Sequence, residues 1–115
     1  MRKFFRGFVF AFRGLRYAFG TQVNFRFHVA AALAAVLLGL YFGITTAEWI
    51  WICGAILVVM IVELLNTAIE VLVDLVSPGY HPKAGIIKDV SAGAVLLTAV
   101  FAVMVGLFIF VPKFL

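Results

Sequence analysis

The sequence predicts an all-α membrane protein with three transmembrane helices and an N-terminal amphipathic helix on the membrane surface, in a single domain spanning 1–115. Three observations lead to this prediction. Hydrophobic residues make up 66% of the chain and charged residues only 12%, whereas soluble domains have about 45–50% and about 25%. Three apolar segments approach or exceed the length that crosses a bilayer. Most Lys and Arg residues precede those segments.

The N-terminal segment, 1–20, has the pattern of an amphipathic surface helix. Aromatic residues such as Phe4 and Phe8 recur at spacings of three and four, while basic side chains occupy other faces. A secretory signal peptide is the alternative, but Arg13 and Arg16 interrupt any apolar core. Because the net charge of +4 is concentrated beside membrane-length segments, it indicates anionic lipid headgroups as partners and not nucleic acid.

Three segments are predicted to be membrane helices: 27–44, 49–75 and 91–111. A polar connector, 20–28, leads into the first. The second would be too short to span if it ended at Glu63, so it is predicted to continue beyond that residue as one long helix. The third is uncharged throughout and long enough to span.

Turn chemistry separates these segments. The second is expected to begin near Glu48, whose negative charge suits a helix N-terminus. Ser-Pro-Gly at 77–79 is expected to end it. A basic loop is predicted at 80–88, after which Asp89 or Ser91 caps the third helix.

The distribution of basic residues predicts the orientation. All Lys and Arg residues except Lys113 lie either in residues 1–26, before the first span, or in 77–88. Three spans place these two regions on the same side. By the positive-inside rule, that side is cytoplasmic and the C-terminus is outside. The protein is therefore predicted to be a multi-pass protein of the inner, cytoplasmic membrane.

The second membrane helix carries an acidic stripe. Glu63, Glu70 and Asp74 fall within roughly 40° of one another at 100° per residue, and Asn66 and Thr67 flank them. Acidic residues inside a spanning helix are costly, about 2.5–3.5 kcal/mol each on insertion scales. The stripe therefore marks either the point where the helix enters water or a functional site.

The stripe suits two chemistries. Glu63 and Glu70 lie about 10.5 Å apart along the helix axis, which places one near a lipid hydroxyl and the other near a hydrophilic cosubstrate. With Lys83 and Lys88 across the loop, the set offers anions for Mg²⁺ and cations for a polyphosphate. The same carboxylates could instead serve a small cation- or proton-coupled transporter. A structural subunit with an incidental polar face is a third interpretation.

The segment 63–74, Glu-Leu-Leu-Asn-Thr-Ala-Ile-Glu-Val-Leu-Val-Asp, resembles the signature of the small bacterial prokaryotic-type diacylglycerol kinases, which include undecaprenol kinases. The resemblance covers almost the whole chain, including Lys-Asp at 88–89 before Ala-Gly-Ala. Asn-Phe-Arg-Phe-His at 24–28 and His-Pro at 81–82 look more like the undecaprenol-kinase branch.

This resemblance implies a homotrimer that uses Mg²⁺-ATP to phosphorylate a lipid hydroxyl, with undecaprenol favoured as the acceptor and diacylglycerol as the alternative. It implies that Glu63 is the general base, that Asn66 helps to orient ATP, and that Glu70 is a metal ligand. The residues implied for ATP are Glu70, Gly79, Tyr80, His81, Lys88 and Asp89. Those implied for the lipid substrate are Asn24, Arg26, Glu63 and Ala92.

One position departs from the family pattern. Where the family often has a second metal-binding glutamate, this chain has Gln22. An amide oxygen can coordinate Mg²⁺ but brings no charge. We therefore expect metal binding through Gln22 and Glu70 to be weaker, or to depend more on phosphate oxygens.

Overall fold

The structure, a computed structural model, describes residues 1–115 and consists of four α-helices. They are α1 (Arg2–Thr21), α2 (Val23–Phe42), α3 (Thr46–Val76) and α4 (Pro82–Phe114). The last three are long and apolar enough to cross a membrane. The predicted all-helical architecture with three membrane-length helices is thus confirmed.

The helices pack around a small apolar core. α3 and α4 share the most extensive interface, and α2 packs mainly on α3. The core lies toward the N-terminal end of α3 and is formed by Ile44, Ile52, Ala55, Val105, Ile109 and Phe110. Only 15 of the 115 residues are buried, so most apolar side chains face outward, as expected when the surrounding solvent is hydrocarbon.

The turn between α2 and α3 depends on two glycines. Gly43 adopts the left-handed conformation that ends α2, with φ 61°, a region that side chains with a Cβ rarely occupy. At Gly39 a Cβ would come within 2.6 Å of the Trp49 ring. The absence of a side chain at Gly39 therefore lets α2 and α3 approach closely where the chain reverses.

The start of α3 is held by a capping box and an ion pair. Thr45 Oγ1 accepts a hydrogen bond from the Glu48 backbone N–H, and the Thr45 N–H donates to Glu48 Oε1. The other oxygen of Glu48 lies 3.0 Å from Lys113 Nζ near the end of α4. This pair ties the two longest helices together at the end of the bundle away from the acidic stripe.

We expect Lys113→Ala to lower the melting temperature of the detergent-solubilised protein by a few degrees, because it leaves Glu48 without its partner on α4. Circular dichroism at 222 nm would measure the shift. Glu48→Gln, which keeps a capping oxygen but loses the charge, is the companion variant. Raising the salt concentration should reduce the difference in melting temperature between variant and parent. A difference that does not depend on salt would contradict the ion-pair explanation.

Two predicted boundaries are wrong. The polar connector predicted at 20–28 is reduced to Gln22, which alone has an extended conformation, with φ −110° and ψ 110°. α2 begins immediately after it, at Val23, because the following polar residues fit the exposed first turns of a helix. Asn24 and Arg26 therefore lie on α2 and not in a loop.

The second wrong boundary is the basic loop predicted at 80–88. α4 begins at Pro82, and the His81 Nδ1 accepts a hydrogen bond from the Lys83 N–H at 3.1 Å. Proline suits the first helical position because it has no N–H to leave unpaired. Neither Asp89 nor Ser91 caps this helix, since both lie well inside it.

Candidate active site

Glu63 lies in the C-terminal half of α3 and is buried to an unusual degree. It is 1% exposed and is the one large side chain that is fully buried. Its Oε2 is also the one buried side-chain oxygen or nitrogen without a hydrogen-bond partner. Because burying an unpaired carboxylate is costly, the feature points to a site whose partner is a ligand.

Two ionisable groups lie close enough to Glu63 to influence it. His28 of α2 and Glu70, two turns further along α3, both act electrostatically on the Glu63 carboxyl group. The neighbouring Thr67 hydroxyl donates to the backbone carbonyl of Glu63 at 3.0 Å. Thr67 is thus satisfied by its own helix and leaves the carboxylate of Glu63 free.

A chain of hydrogen bonds connects α3 with α4 next to Glu63. The Asn66 Nδ2 donates to Glu70 Oε1 at 3.2 Å, and the Ser91 hydroxyl donates to Asn66 Oδ1 at 2.6 Å. Asn66 and Ser91 are 7% and 8% exposed. Both ends of the Asn66 amide are therefore occupied, one by each helix.

Lys88 provides a cation beside this chain. Its Nζ lies 2.7 Å from Asp74 Oδ1, and its ammonium group also interacts electrostatically with Glu70. The Lys88 side chain is 41% exposed, so it remains open to a negatively charged ligand. Its neighbour Asp89 is exposed and makes no side-chain hydrogen bond.

The predicted nucleotide stretch lies in the connection between α3 and α4. The Ser77 hydroxyl donates to the Gly79 carbonyl at 3.4 Å, and Tyr80 is 96% exposed. His81 and Lys83 line one side of a cavity of about 630 Å³ between the two helices. This cavity opens at the same end of the bundle as Lys88.

The site residues predicted around the α1–α2 junction are Gln22, Asn24 and Arg26, and within one chain they bond other groups or face outward. Arg26 Nη1 donates to the Phe19 carbonyl at 2.8 Å, and the Gln22 amide donates to the Thr21 hydroxyl. Asn24 is exposed on α2. Within the chain, no hydrogen bond joins these side chains to Glu63 or Glu70.

The donor atoms present suit a hard cation such as Mg²⁺. The Glu70 carboxylate, held on one side by Asn66, supplies the oxygen ligands that Mg²⁺ prefers. One chain brings together no group of three or more His, Cys, Asp or Glu side chains. The set therefore fits a metal that shares its coordination with phosphate oxygens and water.

Comparison with known protein families shows which family the chain belongs to. The model of the family described as prokaryotic diacylglycerol kinase matches residues 9–110. The chain belongs to this family. The family resemblance predicted from segment 63–74 is therefore confirmed, and the chain is a multi-pass membrane lipid kinase.

Relatives of the kinase carry two different acceptor names. It is 43% identical over 113 residues to undecaprenol kinase of Bacillus subtilis, which covers 98% of the chain and 92% of that relative. It is 42% identical over 109 residues to a diacylglycerol kinase of Synechocystis, covering 94% of the chain and 62% of the relative. Diacylglycerol kinase of Escherichia coli K12 is 34% identical over 95 residues, 83% of the chain and 78% of the relative.

For the kinase, the structure brings Glu63, Asn66, Glu70 and Lys88 to one end of α3 and α4. Sequence reasoning missed Ser91 as part of this group and considered it only as a helix cap. The available signal was weak: a single hydroxyl, three residues after Lys88, at the start of the uncharged part of the helix. Membership in a lipid-kinase family also favours phosphoryl transfer over the transporter considered from the sequence.

Proposed function

We propose that the kinase transfers the γ-phosphate of ATP to the terminal hydroxyl of undecaprenol. The observation that carries the proposal is Glu63, a fully buried carboxylate with an unpaired oxygen on a membrane-length helix. A lipid hydroxyl that reached this oxygen would supply the hydrogen-bond partner that it lacks within the chain. Similarity over nearly the full length of the B. subtilis undecaprenol kinase supports this acceptor.

In this mechanism, Glu63 acts as the general base. The lipid oxygen forms a bond to the γ-phosphorus while the bond from that phosphorus to the β-bridging oxygen of ATP breaks, which releases ADP. A lipid alcohol is a weak acid, so Glu63 accepts its proton late in the transfer. The unpaired Oε2 is the atom that receives it, and the surrounding apolar side chains exclude competing water.

The other residues position and neutralise the phosphates. Lys88 and the second N–H of Asn66, the one that does not bond Glu70, are assigned to the nucleotide, with Asp89 and the stretch 79–81 beside it. Glu70 and Gln22 would hold Mg²⁺, which would neutralise charge on the phosphate oxygens. Arg26, Asn24 and Ala92 are assigned to the lipid side.

We further propose that three chains assemble and share their sites, with the N-terminus and the sites in the cytoplasm. One chain leaves most of its apolar surface exposed and offers an incomplete set of metal ligands. Neighbouring copies of the chain can cover part of that apolar surface and supply the missing metal ligands. α1 then lies on the inner membrane surface, where its Arg and Lys side chains meet anionic headgroups.

An acceptor assay tests the function. Purified protein in mixed micelles receives Mg²⁺ and ATP labelled at the γ-phosphate, together with undecaprenol or diacylglycerol at equal mole fraction. We expect label in undecaprenyl phosphate at a higher kcat/KM than in phosphatidic acid. The reverse order would favour the second candidate acceptor, diacylglycerol, which the names of two relatives support. No label in either lipid would overturn the proposed function.

Gln22→Glu is expected to lower the Mg²⁺ concentration that gives half-maximal activity, by about tenfold, because a carboxylate adds a charge to the ligand set. A Mg²⁺ titration at saturating ATP and lipid measures this shift. Gly20→Glu is the matched control: it adds the same charge two residues earlier, at an exposed position where a Cβ would meet nothing within 4 Å, and it should leave the titration unchanged. An identical shift in both variants would indicate a general charge effect and not coordination at residue 22.

A further inference from the structure

We propose that Ser91 is a positioning residue of the phosphoryl-transfer site, which orients the Asn66 amide so that its N–H group holds Glu70. The inference rests on the proposed function and adds a residue to it. Its physical basis is the hydrogen-bond chain from Ser91 through Asn66 to Glu70, with distances of 2.6 Å and 3.2 Å.

The orientation of a side-chain amide is decided by its partners. An amide presents an oxygen on one side and an NH₂ group on the other, and the two orientations have nearly the same shape. An ionised carboxylate only accepts hydrogen bonds, so Glu70 requires the NH₂ side of Asn66. The oxygen of Asn66 must then face α4, where it needs a donor.

Ser91 is that donor. Its hydroxyl is the one side-chain group on α4 that bonds Asn66, and both residues are buried. Without the hydroxyl, the Asn66 oxygen would become a buried acceptor with no partner, which is costly. Turning the amide over would relieve that cost but would direct an oxygen at Glu70 and remove the donor that holds the carboxylate.

The bond also connects two parts of the site that lie on different helices. Lys88 is one turn before Ser91 on α4 and pairs with Asp74 of α3, whereas Asn66 and Glu70 lie on α3. Ser91 therefore acts on Glu70 through Asn66, by a hydrogen-bond route that does not include the Lys88–Asp74 pair. A substitution at Ser91 should alter the metal-ligand side of the site while the lysine side stays in place.

Asn66 can be observed directly because the sequence contains only two asparagines, Asn24 and Asn66. Protein labelled with ¹⁵N-asparagine in micelles, without nucleotide or metal, should give two side-chain NH₂ signals. In Ser91→Ala we expect the Asn66 signals to shift and their proton exchange to accelerate about tenfold, while the exposed Asn24 is unchanged. Unmoved Asn66 signals would overturn the inference.

Thr98→Val is the matched control. Thr98 lies two turns further along α4, and its hydroxyl bonds only the Val95 carbonyl of its own helix, at 2.7 Å. The variant removes a partly buried hydroxyl from the same helix without touching Asn66. It should leave both asparagine signals as in the parent, and a shift of Asn66 in this variant would point to a general disturbance of α4.

Kinetics separate positioning from simple structural support. Ser91→Ala is expected to lower kcat about tenfold and to raise the Mg²⁺ requirement, with the KM for lipid changed less than about twofold. Ser91→Thr, which keeps the hydroxyl, should restore kcat. A loss confined to the lipid KM would contradict the inference. A parent protein that phosphorylates neither lipid would overturn the proposed function, whereas the Asn66 signals would still decide what Ser91 does.

Discussion

Glu63→Gln is expected to lower kcat by about 1,000-fold while the protein remains folded, because the change removes the proton acceptor and keeps the shape of the side chain. The phosphorylation assay with labelled ATP measures the rate. The same variant should melt at a higher temperature than the parent, since an amide is less costly to bury without a partner than a carboxylate. Activity and stability are thus expected to change in opposite directions.

Glu48→Gln is the matched control for Glu63, because it makes the same chemical change in the same helix. Glu48 lies at the first turn of α3 and is paired with Lys113, so its amide variant should lose stability and keep its activity. Retention of more than about a tenth of the parent kcat by Glu63→Gln would exclude Glu63 as the general base.

Lys88→Ala is expected to lower kcat about 100-fold and to raise the KM for ATP, because it removes the exposed cation nearest Glu70 and Asp74. Initial rates over a range of ATP concentrations at saturating lipid separate the two effects. The KM for lipid should be nearly unchanged, since Lys88 is assigned to the phosphates and not to the lipid.

The two ion pairs of the bundle provide the control for Lys88. Lys88–Asp74 and Lys113–Glu48 both connect α4 with α3, at opposite ends, with distances of 2.7 Å and 3.0 Å. Lys113→Ala breaks the equivalent pair away from the site and should lower the melting temperature without changing the KM for ATP. Equal kinetic effects of the two substitutions would mean that Lys88 acts only through stability.

The sequence was sufficient for features that depend on a single helix. Glu63, Asn66 and Glu70 share one face of α3 because helical spacing alone determines it, and the side chain of Asn66 does reach Glu70 four residues later. The continuation of α3 beyond Glu63 follows from the length needed to span a membrane. The family signature in the same segment then indicates the reaction.

Contacts between helices could not be predicted in this way. Asn66 and Ser91 are 25 residues apart, and their bond depends on the rotation of α4 against α3. The early start of α4 could have been predicted from the sequence. Pro82 is suited to the first position of a helix, and His81 before it can accept a capping hydrogen bond. The basic residues of 80–88 suggested a loop, whereas Lys is also a good helix former.

The unbroken helix between the start of α3 and Glu63 is expected to make the proposed activity depend on membrane thickness. The capped helix begins at Thr46, and 17 residues of unbroken helix place Glu63 about 26 Å along the axis. A typical hydrocarbon layer is about 30 Å thick. With the orientation and the base proposed above, a thicker bilayer would draw Glu63 further from the surface where the nucleotide arrives. The mechanical properties of the surrounding lipid, and not only its chemistry, would thereby enter the rate of phosphorylation.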